Sequence, residues 1–172
     1  MAICIVSGYF NPIHPGHVSL IRDVKSQWPD CTLIAIVNND YQVKLKNSVP
    51  FLDEKTRRII VQNIKGVDEA YIAIDKSPSV VETLNKIMMA APDGSSIFFC
   101  NGGDRSPSAS SVPEVEFCDN NNISLKYGLG DNKVYASSKL LESAAKWINH
   151  RDFWRNFTDE ILAEFNINVP KS

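Results

Sequence analysis

The sequence predicts an α/β protein with a parallel sheet of about five strands and additional C-terminal helices. Short apolar runs rich in β-branched residues, such as 2–7 and 31–37, alternate with segments whose apolar residues recur at helical spacing. This alternation is typical of parallel strands joined by right-handed helical crossovers. A hydrophobic content of 44% and a charged content of 22% in 172 residues fit one globular domain with a sizeable core.

The elements follow in order along the chain. Apolar runs predict strands at about 2–7, 31–37, 69–74 and 96–100, and helical spacing predicts helices at about 15–27, 53–64 and 79–90. A capping box of Ser79 and Glu82 is expected to open the helix at 79–90. The polar segment between 38 and 53 is predicted to be a loop. This order of strands and helices predicts a Rossmann-like three-layer sandwich.

The last third of the chain is less regular. A Ser/Pro-rich loop is predicted at 106–111, and segments 113–118 and 123–127 are expected to form a short strand pair or two extended pieces. A helix is predicted to begin near Ser137, and another to span about 152–165. We therefore expect one domain over 1–150 and a helical tail over 151–172, packed on the same domain or on a second subunit.

Composition excludes several classes of protein. A net charge of −2 does not support general nucleic-acid binding, and the sequence has no apolar run of 18 residues that would predict a membrane span. The N-terminus lacks the basic region of a signal peptide. The four cysteines form no CxxC pair, so a zinc site is not expected, and Cys4, Cys31 and Cys100 are predicted to be buried free thiols. A cytoplasmic location is expected.

The segment 8–17 is predicted to be the turn between the first strand and the first helix. It reads Gly-Tyr-Phe-Asn-Pro-Ile-His-Pro-Gly-His. Pro15 suits the first turn of a helix, and Gly16 allows another group to approach the backbone closely. The start of a helix attracts anions, and His14 and His17 lie at that start, so the turn predicts a polyphosphate site. Polar segments at 38–46, 75–79 and 101–105 should converge on the same edge of the sheet.

The turn resembles the signature of the HxGH nucleotidyltransferase superfamily, the cytidylyltransferase-like enzymes. The resemblance covers about residues 3–148. Further segments that resemble the family's, in the family's order, are 39–40 with 45–46, 51–57 with 67–69, 101–104 and 136–139. The nearest branches are predicted to be the adenylyltransferase domain of ADP-heptose synthase and glycerol-3-phosphate cytidylyltransferase. The resemblance implies that residues 1–150 form a nucleotidyltransferase domain. It also implies Mg²⁺, bound mainly through the phosphates of a nucleoside triphosphate (NTP), and a homodimer.

The implied reaction transfers CMP or AMP from CTP or ATP to a small phosphorylated acceptor, such as a sugar or polyol phosphate, and releases pyrophosphate. The expected catalytic residues are His14, His17 and Lys46. The expected nucleotide-binding residues are Gly8, Tyr9, Phe10, Asn11, Gly16, Gly102, Gly103, Asp104, Ser137 and Ser138. Further candidate phosphate contacts are Lys44, Lys133 and Lys139, and no protein ligand to a metal is predicted.

Departures from the family's pattern keep a second interpretation open. Asn11 stands where many members have Asp, Lys133 lies where one branch has Arg, and Arg105 lies where an aromatic residue is common. The alternative is a non-catalytic nucleotide-binding or regulatory module that kept the fold. Arg57 and Arg58 are expected to form a solvated helix face.

Overall fold

A computed structural model describes residues 1–102, 114–130 and 136–149, the side chains of 147–149 excepted. The chain divides into two compact units, Met1–Ser137 and Ser138–Ser172. In the first unit, five parallel strands form one sheet in the order β3-β2-β1-β4-β5. The strands are β1 (Ala2–Gly8), β2 (Thr32–Val37), β3 (Glu69–Ile72), β4 (Ser96–Gly102) and β5 (Ser124–Leu129). The predicted α/β fold with a five-stranded parallel sheet is confirmed.

Helices lie between the strands in the chain. They are α1 (Pro15–Gln27), α2 (Asp40–Leu45), α3 (Glu54–Gln62), α4 (Val81–Ala90) and α5 (Val115–Asn120), and α6 (Ser137–Asn149) follows β5. None of the helices in the described part of the chain is long and apolar enough to cross a membrane.

The central strand β1 is buried on both faces and divides the core into two apolar clusters. On one side of the sheet, Cys4 and Val6 pack with Ile21 and Val24 of α1 and Val61 of α3. On the other side, alternate residues of the same strand pack with α4 and α5 through Leu84 and Cys118, among others. This alternation produces the three layers. Cys4, Cys31 and Cys100 are buried and free as predicted, and Cys118 is buried as well.

The predicted loop between 38 and 53 contains the short helix α2. Its start is fixed by a reciprocal pair of hydrogen bonds between side chains and the backbone, which the sequence analysis did not predict. The backbone N–H of Gln42 donates to Asn39 Oδ1 at 2.8 Å, and the backbone N–H of Asn39 donates to Gln42 Oε1 at 3.0 Å. This Asn-x-x-Gln arrangement is a capping box with amide side chains.

Two other local predictions were wrong. The helix at 79–90 is not opened by Ser79, because the carboxylate of Asp75 instead accepts hydrogen bonds from the backbone N–H groups of Glu82 and Thr83, at 2.7 and 3.2 Å. Segment 113–118 is not extended, since most of it belongs to α5. The loop at 106–111, the helix at 152–165 and the tail at 151–172 lie outside the described residues, and the domain boundary at 150 and the homodimer stay predictions.

Candidate active site

The turn after β1 places its aromatic residue inside the protein. Phe10 is buried and adopts a left-handed backbone conformation, with φ of 48°. Its ring lies 4.8 Å from the ring of His17, centroid to centroid. A Cβ atom at Gly8 would approach the Phe10 ring to 3.2 Å, so the glycine makes room for this fold of the chain. Gly8 and Phe10 therefore set the conformation of the turn on its buried side.

His14 and His17 lie together at the start of α1. Their rings stack with centroids 3.8 Å apart, and the backbone N–H of His14 donates to Nδ1 of His17 at 3.2 Å. A Cβ atom at Gly16 would come within 3.1 Å of the His14 ring. Gly16 thus allows His14 to lie over the first turn of the helix, beside the backbone N–H groups that a helix start presents.

Burial is the main cause of an unusual titration at His17. Burial, followed by the neighbouring His14, lowers the pKa of His17 to about 3. The ring is therefore neutral near pH 7. Because its Nδ1 accepts a hydrogen bond, the single ring proton lies on Nε2. A neutral imidazole with a fixed Nε2–H group is a hydrogen-bond donor suited to a phosphate oxygen.

Lys46, the residue after α2, reaches back to the first turn. Its Nζ atom lies 4.2 Å from the centroid of the Tyr9 ring, a cation–π contact. This contact brings one predicted phosphate-binding cation and the histidine-bearing turn together. Lys44 is exposed in the last turn of α2.

The segment after β2 also holds the segment after β3. The side-chain amide of Asn39 donates to the carbonyls of Ala73 and Asp75, at 2.9 and 2.8 Å. The amide of the fully buried Gln42 donates to the carbonyls of Ser77 and Ser79. Two of the polar segments predicted to converge at the carboxyl edge of the sheet are thus joined by hydrogen bonds.

Arg57 is the main residue that sequence reasoning missed. The prediction of a solvated side chain was wrong, since Arg57 is 1% exposed. Its guanidinium donates to Tyr9 O at 2.6 Å and Asn38 O at 2.7 Å, to Leu52 O at 2.9 Å, and to the Asp40 carboxylate at 2.6 Å. The signal was the position of Arg57 four residues before the buried Val61, which places both on the inner face of α3.

The structure also places several other predicted site residues. Asn11 is 5% exposed and bonds to the backbone at Val49 and Phe51. Ser137 Oγ donates to the carbonyl of Pro12 at 2.8 Å, so Ser137 lies beside the first turn. Gly102 ends β4, the strand next to β1. Ser138 and Lys139 are exposed residues of the second unit. Gly103, Asp104, Arg105 and Lys133 lie outside the described residues.

Comparison with curated proteins finds FAD synthases among the relatives. The chain is 38% identical over 92 residues to the FAD synthase of Methanosphaera stadtmanae. The match covers 52% of this chain and 62% of that relative. It is 35% identical over 72 residues to the FAD synthase of Methanobrevibacter ruminantium, and that match covers 41% of this chain and 48% of the relative. The chain thus spans less than two thirds of these relatives' length. The predicted nearness to the sugar-phosphate and polyol-phosphate branches stays a prediction.

A solved structure supports the fold. The lipopolysaccharide core biosynthesis protein of Thermoplasma volcanium superposes with a TM-score of 0.59 at 20% identity, over 77% of this chain and 99% of that one. The sequence profile described as cytidylyltransferase-like matches residues 5–116. That range includes the turn with both histidines, α2, and Arg57. The predicted superfamily is confirmed, and the chain belongs to the cytidylyltransferase-like family.

Proposed function

We propose that this protein is a nucleotidyltransferase that joins a nucleoside monophosphate from an NTP to a small phosphorylated acceptor and releases pyrophosphate. The observation that carries this proposal is the stacked pair of His14 and His17 at the start of α1, with Lys46 held nearby over Tyr9. Neutral hydrogen-bond donors, helix N–H groups and one positive charge are what a triphosphate requires.

The proposed reaction is a displacement at the α-phosphorus. A phosphate oxygen of the acceptor attacks that atom, and the bond to the oxygen bridging the α- and β-phosphates breaks, so pyrophosphate leaves with the electron pair. His17 donates through Nε2–H to a phosphate oxygen on which negative charge increases, and His14 acts beside it. Fixed donors of this kind stabilise the transition state more than the ground state. No covalent bond to the enzyme is needed.

The remaining predicted residues are proposed to surround the phosphates. Lys46 supplies positive charge, and Ser137 lies beside the first turn, where it bonds to the carbonyl of Pro12. The predicted roles of Gly102, Gly103 and Asp104 at the end of β4, and of Ser138, belong to the same proposal. Among the described residues, no group of three or more His, Cys, Asp or Glu side chains is placed to hold a metal ion. As the resemblance implies, Mg²⁺ would be bound mainly through the oxygens of the triphosphate, with water completing its ligands, a mode that suits this ion.

The named relatives favour one pair of substrates for the first test. FAD contains AMP joined to flavin mononucleotide (FMN) through a pyrophosphate bond, so ATP and a flavin phosphate are the proposed substrates. CTP or ATP with a sugar or polyol phosphate is the predicted alternative pairing. Either pairing uses the same chemistry at the α-phosphorus.

The test is an assay of pyrophosphate release. The purified full chain is incubated with Mg²⁺, with ATP or CTP, and with FMN, a sugar phosphate or a polyol phosphate. Release that requires both an NTP and one acceptor, with formation of the joined product, supports the proposal. Binding of nucleotide in a thermal-shift assay without release for any pair would favour the non-catalytic nucleotide-binding module.

A further inference from the structure

We infer that Asn11 is a positioning residue: it anchors the segment 46–51 to the first turn and thereby holds Lys46 at the phosphate site. The inference rests on the proposed function for the role of Lys46. The side chain of Asn11 is 5% exposed. Its Nδ2 donates to the carbonyl of Val49 at 2.9 Å, and its Oδ1 accepts from the backbone N–H of Phe51 at 2.6 Å.

These two bonds require an amide. The Nδ2 group donates and the Oδ1 atom accepts, so the side chain pairs with one backbone carbonyl and one backbone N–H group of the segment. A carboxylate in the same position could accept from Phe51 but could not donate to Val49. It would instead face the Val49 carbonyl oxygen with a negative charge. The amide of Asn11 is therefore matched to this chain's own segment 46–51.

Apolar burial does not account for the placement of this segment. The side chains of Val49 and Phe51 are 76% and 59% exposed, so they contribute little burial. At its start, the segment is tied to α2 by three backbone hydrogen bonds. The N–H groups of Lys46 and Ser48 both donate to the carbonyl of Val43 at 3.2 Å, and that of Asn47 donates to the carbonyl of Lys44 at 2.9 Å. Asn11 ties it farther along, at Val49 and Phe51. Lys46 lies at the α2 end of the segment, with its ammonium over the Tyr9 ring.

Through the segment 46–51, Asn11 connects the first turn to Lys46. Tyr9 and Asn11 are two residues apart, and both contact the same neighbouring segment, one through Lys46 and one through its backbone. If the bonds of Asn11 are lost, the end of the segment at Val49 and Phe51 is released. Lys46 is then held only by its bonds to α2, and its distance to the histidine pair is no longer fixed from both ends of the segment. A misplacement of about 1 Å can lower a rate about a hundredfold.

The first test uses Asn11→Asp and does not depend on catalysis. The matched control is Asn85→Asp, the same change at an exposed position in α4. Limited trypsin digestion of the full chain measures cleavage after Lys44 and Lys46. Cleavage in Asn11→Asp is expected to be about tenfold faster than in wild type, the factor for about one lost hydrogen bond, with the control unchanged. Equal cleavage in all three proteins would overturn the anchor.

The second test asks whether Asn11 acts through Lys46. In the pyrophosphate assay, kcat/KM for the NTP is expected to fall about tenfold to a hundredfold in Asn11→Asp. In a double-mutant cycle, Asn11→Asp should have no further effect once Lys46→Ala is present. Additive losses would contradict the positioning role. If wild type releases no pyrophosphate with any substrate pair, the proposed function fails, while the digestion result still decides the anchor.

Discussion

Replacement of Arg57 by alanine is expected to destabilise the protein strongly, although Arg57 belongs to a helix near the surface. The guanidinium is 1% exposed and makes hydrogen bonds to three backbone carbonyls and to the Asp40 carboxylate. The alanine variant leaves these acceptors with their hydrogen bonds broken and a carboxylate, 29% exposed, without its partner charge. Breaking a buried ion pair in this way costs about 3–5 kcal/mol of the free energy of unfolding.

Urea denaturation measures this loss directly. Arg58→Ala is the matched control, since Arg58 is the next residue of the same helix and is partly exposed, and it should change the free energy of unfolding by less than about 0.5 kcal/mol. Arg57→Lys keeps the charge but not the planar fork, so its loss should fall between the two. The reasoning is refuted if the free energies of unfolding of Arg57→Ala and Arg58→Ala differ by less than about 1 kcal/mol. The guanidinium then does not hold the loops together.

Two further predictions concern the histidine turn. Because the folded pKa of His17 is about 3, against about 6.5 when unfolded, the unfolded chain binds more protons between these values, and stability falls as pH is lowered. Between pH 6.5 and 5.0, wild type should lose about 1.6 kcal/mol more than His17→Gln in urea denaturation, and equal losses would contradict the lowered pKa. Gly16→Ala places a Cβ atom 3.1 Å from the His14 ring, so turnover should fall about tenfold or more with little change in Tm; normal turnover would show that the ring need not lie there.

The fold was largely predictable because its signals are local and repeated. Buried parallel strands leave apolar runs in the sequence, and α1 was predicted with the bounds that the structure gives it, Pro15–Gln27. The errors at helix starts arose where amide or carboxylate side chains cap a helix without the usual sequence signals. Asn39 and Gln42 cap α2 inside a polar stretch, and Asp75 caps α4 from a distance of seven residues. Such contacts depend on where the chain returns in space.

The site was predicted in its residue types but not in its connections. The pair His14 and His17 follows from the spacing within one turn, and the cation–π contact of Lys46 with Tyr9 does not. Arg57 was missed because a charged residue on a short helix is usually solvated, and only the tertiary structure shows four acceptors converging on it. Asn11 was noted as a departure from the family, yet its two backbone partners lie about forty residues away in the sequence.

The most direct test of the proposed chemistry compares wild type with His14→Ala and His17→Ala in the pyrophosphate assay, on the substrate pair that wild type uses. Each variant removes a proposed phosphate donor at the start of α1. Turnover is predicted to fall about 10²–10³-fold in each, with the folded state retained in circular dichroism. Near wild-type turnover in both variants would contradict transfer assisted by the histidine pair.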